Sequence, residues 1–143
     1  MSGFLGRYDY QMDEKGRVSL PAAFRKEAGG ERFILVQWEK PYLTLFPEEV
    51  WKSVQERLLE FRRKEPAAWN YVREITANAV EVSPDKQGRI LIPAWLQDAA
   101  SLKGTVVLSG VIDRVEVWDP EEFDKAIQDR AEESKRFRHQ IFG

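Results

Sequence analysis

One short motif that combines an acid, a glycine and an arginine occurs twice in the chain. The first copy runs from Asp13 to Arg17 (Asp-Glu-Lys-Gly-Arg) and the second from Asp85 to Arg89 (Asp-Lys-Gln-Gly-Arg). The aspartate can accept hydrogen bonds from backbone N–H groups of a tight turn, and the glycine can take the positive φ that such a turn requires. The arginine can pair with an anion or with the edge of a guanine base. Each motif is therefore either an ordinary tight turn or a turn that presents a cation to a ligand.

The motif starts a longer internal repeat in which equivalent residues lie 72 positions apart. In both copies a short apolar strand follows the turn and ends in Pro-Ala, and two more apolar segments follow at the same offset. The equivalent segments are Pro21-Ala22 with Pro93-Ala94, 33–36 with 105–108, and 43–46 with 115–118. A register kept over roughly forty positions indicates two copies of one supersecondary unit.

Apolar alternation and turn signals predict the same elements in each copy. We expect a strand that runs into the turn, a short strand after it, a short helix that begins at the proline, and a β-hairpin. The predicted bounds are 4–12, 18–20, 22–28, 33–38 and 42–46 in the first copy, and 79–83, 90–92, 94–100, 105–109 and 115–118 in the second.

Helical periodicity predicts two helices between the copies and one after the second copy. The first is expected over 47–64, with one apolar face formed by Val50, Trp51, Val54, Leu58 and Phe61. The second is expected over 66–76, with Trp69, Val72 and Ile75 facing inward. A C-terminal helix is expected from Pro120, with Phe123, Ile127 and Ala131 on its apolar side, and the tail from Ser134 is expected to be a fraying helix end with an apolar tip.

The composition argues against several classes of function. The chain has no cysteine, which excludes disulfides, thiolate metal ligands and cysteine nucleophiles, and His139 is its only histidine. Its many carboxylates show no pairing with a nucleophile or a metal-ligand cluster, so we expect no enzyme activity, no metal and no cofactor. No apolar run approaches the ~18 residues of a membrane span. We therefore expect a soluble, cytoplasmic protein without a membrane partner.

The formal net charge of −2 does not by itself favour nucleic acid as a partner. The position of the cations matters more than their sum. Residues 7–26 contain five cations and three anions, whereas the equivalent window at 79–98 contains two cations and three anions. The two copies are thus predicted to share a backbone plan but to differ in charge.

These features together resemble the MraZ family, which belongs to the AbrB-like, swapped-hairpin group of bacterial transcription factors. The resemblance rests on the paired turns, the Pro-Ala after each short strand, the opening Phe4-Leu5-Gly6 and the two helices between the copies. It implies an α+β fold in which both repeats of one chain build an AbrB-like double-ψ or swapped-hairpin β-barrel with flanking helices. The implied divisions are a SpoVT-AbrB-like repeat at 7–49, a helical insert at 50–77, a second such repeat at 78–121, and a C-terminal helix and tail at 122–143.

The resemblance also implies a function. A member of this family is expected to be a sequence-specific DNA-binding regulator that represses its own division and cell-wall gene cluster. Its expected partner is double-stranded promoter DNA with short direct repeats. Several chains are expected to assemble into a homo-oligomeric ring, in the cytoplasm and associated with the nucleoid.

The expected site residues follow from matching positions. Arg17 and Lys15 match the basic residues of the first motif that contact DNA, and Asp13 and Gly16 match the residues that shape its turn. The cations at the end of the short helix, Arg25 and Lys26, are suited to phosphate contact. In the second motif Gln87 stands where Lys15 stands in the first. The role of the second motif, Asp85, Gly88 and Arg89, is therefore either structural or DNA-contacting.

A non-catalytic protein-interaction or structural module remains the alternative. The chain has five tryptophans and two amphipathic helices, and aromatic side chains are enriched at protein interfaces as well as in cores. DNA binding with a steep salt dependence that is lost with Arg17 would favour the regulator over this alternative.

Overall fold

The computed structural model describes residues 3–128 and 130–143 of the chain. Over these residues the fold is α+β, with an antiparallel six-stranded sheet, a two-stranded ribbon and flanking helices. The strands are β1 (Arg7–Gln11), β2 (Arg17–Ser19), β3 (Phe33–Glu39), β4 (Tyr42–Pro47), β5 (Val80–Val82), β6 (Arg89–Leu91), β7 (Thr105–Gly110) and β8 (Val115–Trp118). The helices are α1 (Ala22–Ala28), α2 (Glu48–Lys64), α3 (Trp69–Asn78), α4 (Ala94–Ala99), α5 (Pro120–Ile127) and α6 (Ala131–Phe142), and a 3₁₀ turn at Pro66–Ala68 joins α2 to α3.

The six-stranded sheet combines strands of the two copies in the order β1-β7-β8-β4-β3-β5. In the repeat, β1, β7 and β8 are equivalent to β5, β3 and β4, so the order is the same from either edge of the sheet. The hairpins of the two copies meet in the middle, where Leu43 lies opposite Val117 and Leu45 lies opposite Val115. Each edge strand pairs with the hairpin of the other copy, since β1 pairs with β7 and β5 pairs with β3. The remaining strands, β2 and β6, pair with each other as the ribbon. The strands of the two copies are thus interleaved, because the sheet and the ribbon each contain strands from both copies.

Both copies also bury their apolar alternation in one core. The ribbon contributes Val18 and Ile90, which are 1% and 0% exposed, and the sheet contributes equally buried residues of both hairpins. The core members from the hairpins include Phe33, Leu35, Leu43, Leu45, Val106, Leu108, Val115 and Val117. A fully buried Leu or Val side chain contributes about 1.5–3 kcal/mol relative to an exposed one. The inward residues of the predicted strands are therefore confirmed as the core.

The helical segment packs on the other side of the β3–β4 hairpin in a second cluster, which consists of Val36, Phe46, Trp51, Val54, Leu58, Val72 and Ile75. Two predicted members of its apolar faces were wrong. Phe61 is 53% exposed and Trp69 is 43% exposed. Phe61 lies in the last turn of α2, and Trp69 opens α3 beside the 3₁₀ turn, where the guanidinium carbon of Arg62 stacks 3.8 Å from its ring centroid. Helical spacing thus identified the apolar faces of α2 and α3 but did not show where the neighbouring elements stop covering those faces.

The C-terminal region forms two helices, where the sequence predicted one helix and a fraying end. The Asp119 side chain caps α5 by accepting a hydrogen bond from the Glu122 N–H, and α5 ends at Ile127 because Gln128 is extended, with φ −72° and ψ 143°. A second, continuous helix, α6, covers Ala131–Phe142, and every one of its side chains is exposed. Asp129, which falls within the predicted 122–143 segment, lies outside the described residues.

Within the described residues, every helix is too short or too polar to cross a membrane.

Candidate nucleic-acid interface

The β2–β6 ribbon holds the two motifs side by side. The Cα atoms of Arg17 and Leu91 face each other across the ribbon, and so do those of Ser19 and Arg89. Side chains alternate along a strand, and the intervening Val18 points into the core. The outward face of the ribbon therefore carries two arginines on a diagonal, together with Ser19 and Leu91. This face brings together the two arginines that the sequence places 72 residues apart.

The first turn is closed by Asp13 in the way its sequence predicts. The Asp13 N–H donates to the Arg17 carbonyl over 2.9 Å, and the Gly16 N–H donates to the Asp13 carbonyl over 3.0 Å. One carboxylate oxygen of Asp13, Oδ1, accepts the backbone N–H groups of Lys15 and Arg17 at 3.0 and 2.8 Å. The other, Oδ2, accepts Arg17 Nε at 2.7 Å. Asp13 thus fixes both the turn and the direction in which the arginine leaves it.

The second turn has the same bonds. Asp85 Oδ1 accepts the backbone N–H groups of Gln87 and Arg89, each at 2.9 Å, and Asp85 Oδ2 accepts Arg89 Nε at 3.1 Å. The two glycines take positive φ angles, 88° at Gly16 and 78° at Gly88. Hydrogen bonds from backbone N–H groups hold the pKa of both Asp13 and Asp85 below the ordinary aspartate value, with the Arg17 and Arg89 N–H groups contributing most. Both carboxylates are therefore ionised in the folded protein at neutral pH.

The two arginines differ in what their terminal amino groups contact. Nη1 of Arg89 lies 3.8 Å from Asp13 Oδ2, so Arg89 reaches along the ribbon to the aspartate of the other motif. In the part of the chain that the structure describes, Nε is the side-chain atom of Arg17 that donates a hydrogen bond to the protein, and its terminal amino groups donate none. Arg17 is therefore held at Nε and open at its end, whereas Arg89 helps to join the two turns.

Each turn is supported by the short helix of the other copy: α4 lies against the first turn and α1 lies against the second. The sequence did not predict these contacts. The Gln97 side chain lies against Gly16 and donates to the Ile92 carbonyl over 2.7 Å. The guanidinium of Arg25 lies against Gly88, and its Nε donates to the Leu20 carbonyl over 3.2 Å. Arg25 and Gln97 are equivalent in the repeat, being 72 positions apart. That equivalence was a usable signal, but the offset does not say which turn each helix faces.

This exchange changes the charge difference that the sequence predicts between the copies. Arg25 belongs to the first copy in sequence but lies beside the second turn, where it lines an open groove together with Lys26, Pro84 and Asp85. Arg7, another cation of the first window, lies away from the turns in ion pairs with Asp9 and Asp124. The cations near the motifs are therefore spread over both turns.

The remaining predicted residue of the first motif, Lys15, is exposed at the tip of its turn. The residue that sequence reasoning missed on the same face is Leu91, which is 53% exposed on β6. Its repeat equivalent is Ser19, so a comparison of the two copies signals the change from a polar to an apolar residue. Over residues 3–128 and 130–143, no group of three or more His, Asp or Glu side chains is arranged to hold a metal ion. With Lys15 and the two arginines on or beside one face of the ribbon, the site can bind an anionic surface that accepts hydrogen bonds.

Comparison with known proteins gives a consistent result. A family described as "MraZ protein, putative antitoxin-like" matches residues 4–73 and 75–140. Several relatives carry the name "Transcriptional regulator MraZ", among them the proteins of three bacteria. The protein of Carboxydothermus hydrogenoformans is 42% identical over 120 residues, which is 82% of each chain. That of Leuconostoc mesenteroides is 35% identical over 130 residues, covering 91% of this chain and 90% of the relative. That of Desulfitobacterium hafniense is 44% identical over 115 residues, 80% of each.

Proposed function

The chain belongs to the MraZ family, and on that premise we propose that it is a non-enzymatic, sequence-specific DNA-binding transcriptional regulator. The observation that carries the proposal is Arg17, a half-buried residue on the outward face of the ribbon, whose Nε is fixed by Asp13 while its terminal amino groups donate no hydrogen bond within the described residues. A fixed arginine with free terminal donors is suited to reading a base. The names of the relatives, which are transcriptional regulators, support the same class of function.

The ribbon is a suitable element for direct readout. A two-stranded ribbon fits the major groove of B-DNA, where an arginine can donate two hydrogen bonds to guanine O6 and N7, worth about 1–3 kcal/mol of discrimination. Arg17 is the proposed base reader. The exposed aliphatic side chain of Leu91, opposite Arg17, is placed to contact an apolar group such as a thymine methyl. Arg89, tied to both aspartates, is proposed to hold the ribbon more than to read a base.

The other cations are proposed to contact the DNA backbone. Lys15 is exposed at the first turn, and Arg25 and Lys26 border the groove beside the second turn. Contacts of this kind fix the orientation of a protein on the duplex without selecting a sequence. Asp13 and Gly16, and likewise Asp85 and Gly88, are proposed to shape the turns and not to contact DNA themselves.

We also propose the finer description of the fold that the resemblance implies. The interleaved sheet and ribbon are compatible with an AbrB-like swapped-hairpin barrel built by two repeats of one chain, with divisions at 7–49, 50–77, 78–121 and 122–143. On this view the chain corresponds to a whole barrel, and several chains are needed to form the ring.

The regulator is proposed to act as a ring on direct repeats in its own promoter, and so to repress its division and cell-wall gene cluster in the nucleoid. One ribbon offers few cations, and the chain as a whole carries a net charge of −2. Linking identical weak contacts at a fixed spacing raises affinity by roughly 10²–10⁴. A ring would therefore give this acidic chain an affinity for DNA that a single copy lacks.

The test is binding of labelled DNA from upstream of the chain's own gene, followed by fluorescence anisotropy at several salt concentrations. We expect Arg17→Ala to weaken binding by roughly 5- to 150-fold, which corresponds to the loss of one base contact of about 1–3 kcal/mol. Arg89→Ala should weaken binding less and lower the thermal stability more. Arg63→Ala is the matched control, because Arg63 is an exposed arginine of α2 that pairs with Glu60 of the same helix. It should leave the affinity unchanged.

The number and phasing of the repeats test the ring. Each phosphate neutralised adds about −0.9 to the slope of log K against log salt, so one repeat should give a shallow slope and several repeats in phase a steeper one. An insert of about half a helical turn, ~5 base pairs, puts the next repeat on the far side of the duplex. Undiminished affinity for that site would rule out the ring. Equal binding by wild type and Arg17→Ala would instead favour a protein-interaction module.

A further inference from the structure

The two turns lie at opposite ends of the β2–β6 ribbon. The strands are antiparallel, and the central pair of their register is Val18 with Ile90, which are equivalent residues of the repeat. The ribbon backbone therefore has a local two-fold axis between these two residues. A palindromic operator mirrors a two-fold axis in the protein that binds it. A ribbon that binds its site in one direction only must therefore carry different side chains at its two ends.

The helices that support the turns provide such a difference. Arg25 Nε donates to the Leu20 carbonyl over 3.2 Å. Its repeat equivalent, Gln97, donates from Nε2 to the equivalent carbonyl, that of Ile92, over 2.7 Å. A glutamine is thus sufficient to support a turn in this way. The terminal amino groups of Arg25 are not needed for the support, and they donate no hydrogen bond among the residues that the structure describes.

The second turn also holds the Arg25 guanidinium in place. A Cβ at Gly88 would lie 2.9 Å from the guanidinium carbon and 3.1 Å from Nη2, so the guanidinium packs directly against the glycine. Arg25 and Lys26 line the groove beside this turn, which has a volume of about 420 Å³. Two carboxylates line it as well. That of Asp85 already accepts three hydrogen bonds within its own turn, and that of Glu31 belongs to an exposed residue.

The contact of each helix with the turn of the other copy reverses the charge difference between the sequence windows. The first turn (13–17) and α4 together contain two cations and three anions, whereas the second turn (85–89) and α1 contain four cations and two anions. At the position that is equivalent to Lys26, α4 has an exposed carboxylate, Asp98. The second end of the ribbon therefore attracts a phosphate group more strongly than the first end does.

We propose that Arg25 and Lys26 form a phosphate-binding site beside the second turn, and that this site fixes the direction in which the ribbon lies on DNA. The ligand is a phosphodiester group of the DNA backbone, to which the two terminal amino groups of Arg25 can donate a pair of hydrogen bonds. Lys26 adds a compact positive charge on the same side of the groove. The inference rests on the proposed DNA-binding function and extends it, because it assigns the second end of the ribbon to the backbone while Arg17, at the first end, reads a base.

Arg25→Gln tests the site, because Gln97 shows that a glutamine can make the supporting hydrogen bond. In fluorescence anisotropy with promoter DNA, this variant should make the slope of log K against log salt shallower by about 0.9 for each repeat bound, the loss of one phosphate contact. Lys26→Gln should have the same effect, and the double variant about twice that effect. Arg63→Gln makes the same change of charge on α2 and should keep the wild-type slope.

Thermal unfolding separates binding from folding. Arg25→Gln should unfold at the Tm of the wild type because the bond to the Leu20 carbonyl is kept. If its Tm falls, Lys26→Gln, at an exposed residue, supplies the same readout. Wild-type salt slopes in both variants would overturn the site. A groove that holds free phosphate instead would give this result too, together with a rise in the wild-type Tm in inorganic phosphate that Arg25→Gln lacks.

Site-directed cleavage of the DNA tests the direction. The chain has no cysteine, so Glu14→Cys and Gln87→Cys can each carry one iron chelate at the exposed tip of one turn. We expect the two variants to cut opposite ends of each repeat, in the same sense in every repeat. Equal cutting at both ends by either variant would mean that the ribbon lies on the DNA in both directions, which would overturn the inference.

The same measurements distinguish this inference from the proposed function. Promoter binding that is weakened by Arg17→Ala but has the same salt slope in Arg25→Gln overturns the phosphate site and leaves the regulator intact. Absence of promoter binding by the wild type overturns both.

Discussion

Replacing Gly16 with alanine tests whether the first turn is held by close contact as well as by backbone conformation. Gly16 has a φ of 88°, and a Cβ at this position would lie 2.8 Å from the Ile92 carbonyl oxygen and overlap the Gln97 amide. Gly29, which ends α1, has a φ of 70°, and a Cβ there would have nothing within 4 Å. An alanine therefore carries the same backbone cost at either position, but only at Gly16 would its Cβ meet neighbouring atoms.

The magnitudes follow from these contacts. A residue with a Cβ in the left-handed region costs about 1–2 kcal/mol, which is the whole expected effect of Gly29→Ala. At Gly16 the ribbon must also open where the Ile92 N–H donates to the Gly16 carbonyl over 2.9 Å. Losing that bond and the Gln97 bond to Ile92 adds about 1–3 kcal/mol. Gly16→Ala should therefore destabilise the fold by about 2–5 kcal/mol.

Thermal unfolding followed by circular dichroism, at one protein concentration for all variants, checks this difference. At about 4 °C per kcal/mol for a chain of this size, Gly29→Ala should lower Tm by about 4–8 °C and Gly16→Ala by about 8–20 °C, with the larger loss in the same experiment at Gly16. Gly88→Ala should fall near Gly29→Ala, because the atoms nearest to its Cβ, at 2.9–3.2 Å, belong to the flexible Arg25 side chain. Equal losses for Gly16→Ala and Gly29→Ala would refute the close-contact argument.

Three further predictions concern acid stability, the core and a helix cap. Because the folded pKa of Asp13 is depressed, its stabilisation is fully present above the ordinary aspartate pKa and is lost as pH falls from there through the lower folded pKa. The Tm difference between wild type and Asp13→Asn should therefore stay constant above about pH 5 and shrink below it, and a difference that stays constant on further acidification would contradict this. Leu45→Ala, at a fully buried residue, should cost about 2–5 kcal/mol in urea unfolding, while the control Leu5→Ala, at a residue 63% exposed, should stay within about 0.5 kcal/mol. Asp119→Ala removes the cap of α5 and should cost about 0.5–2 kcal/mol, an effect that Asp119→Asn should largely avoid.

The sequence predicted the repeated parts of the fold well because each depends on local chemistry. The bonds of Asp13 and Asp85 within their turns are confirmed, and so is the helix behind Pro21, which ends at Gly29. Apolar alternation at Val18 and Ile90 identified core residues because a strand with one buried face leaves a period of two.

The parts that the sequence did not predict depend on which elements meet. Nothing in a repeat offset says that Arg25 supports the turn of the other copy, because equivalence within a repeat does not define the pairing of its units. Helical periodicity likewise marked Phe61 and Trp69 as apolar-face residues without showing that the neighbouring elements stop short of them. The extended Gln128 that separates α5 from α6 has no glycine or proline to signal it.

The exchange of edge strands between the copies has a consequence for the chain during its synthesis. Arg7 of β1 pairs with Ser109 of β7, so during synthesis β1 must wait for roughly a hundred further residues before its partner strand exists. Pairings this distant in sequence form slowly because the long loop between them must close first. The nascent first copy therefore keeps its β1 hydrogen-bonding edge, and the apolar face of β2, open until β6 and β7 emerge. Folding of the first half of this chain is set by translation of the second half.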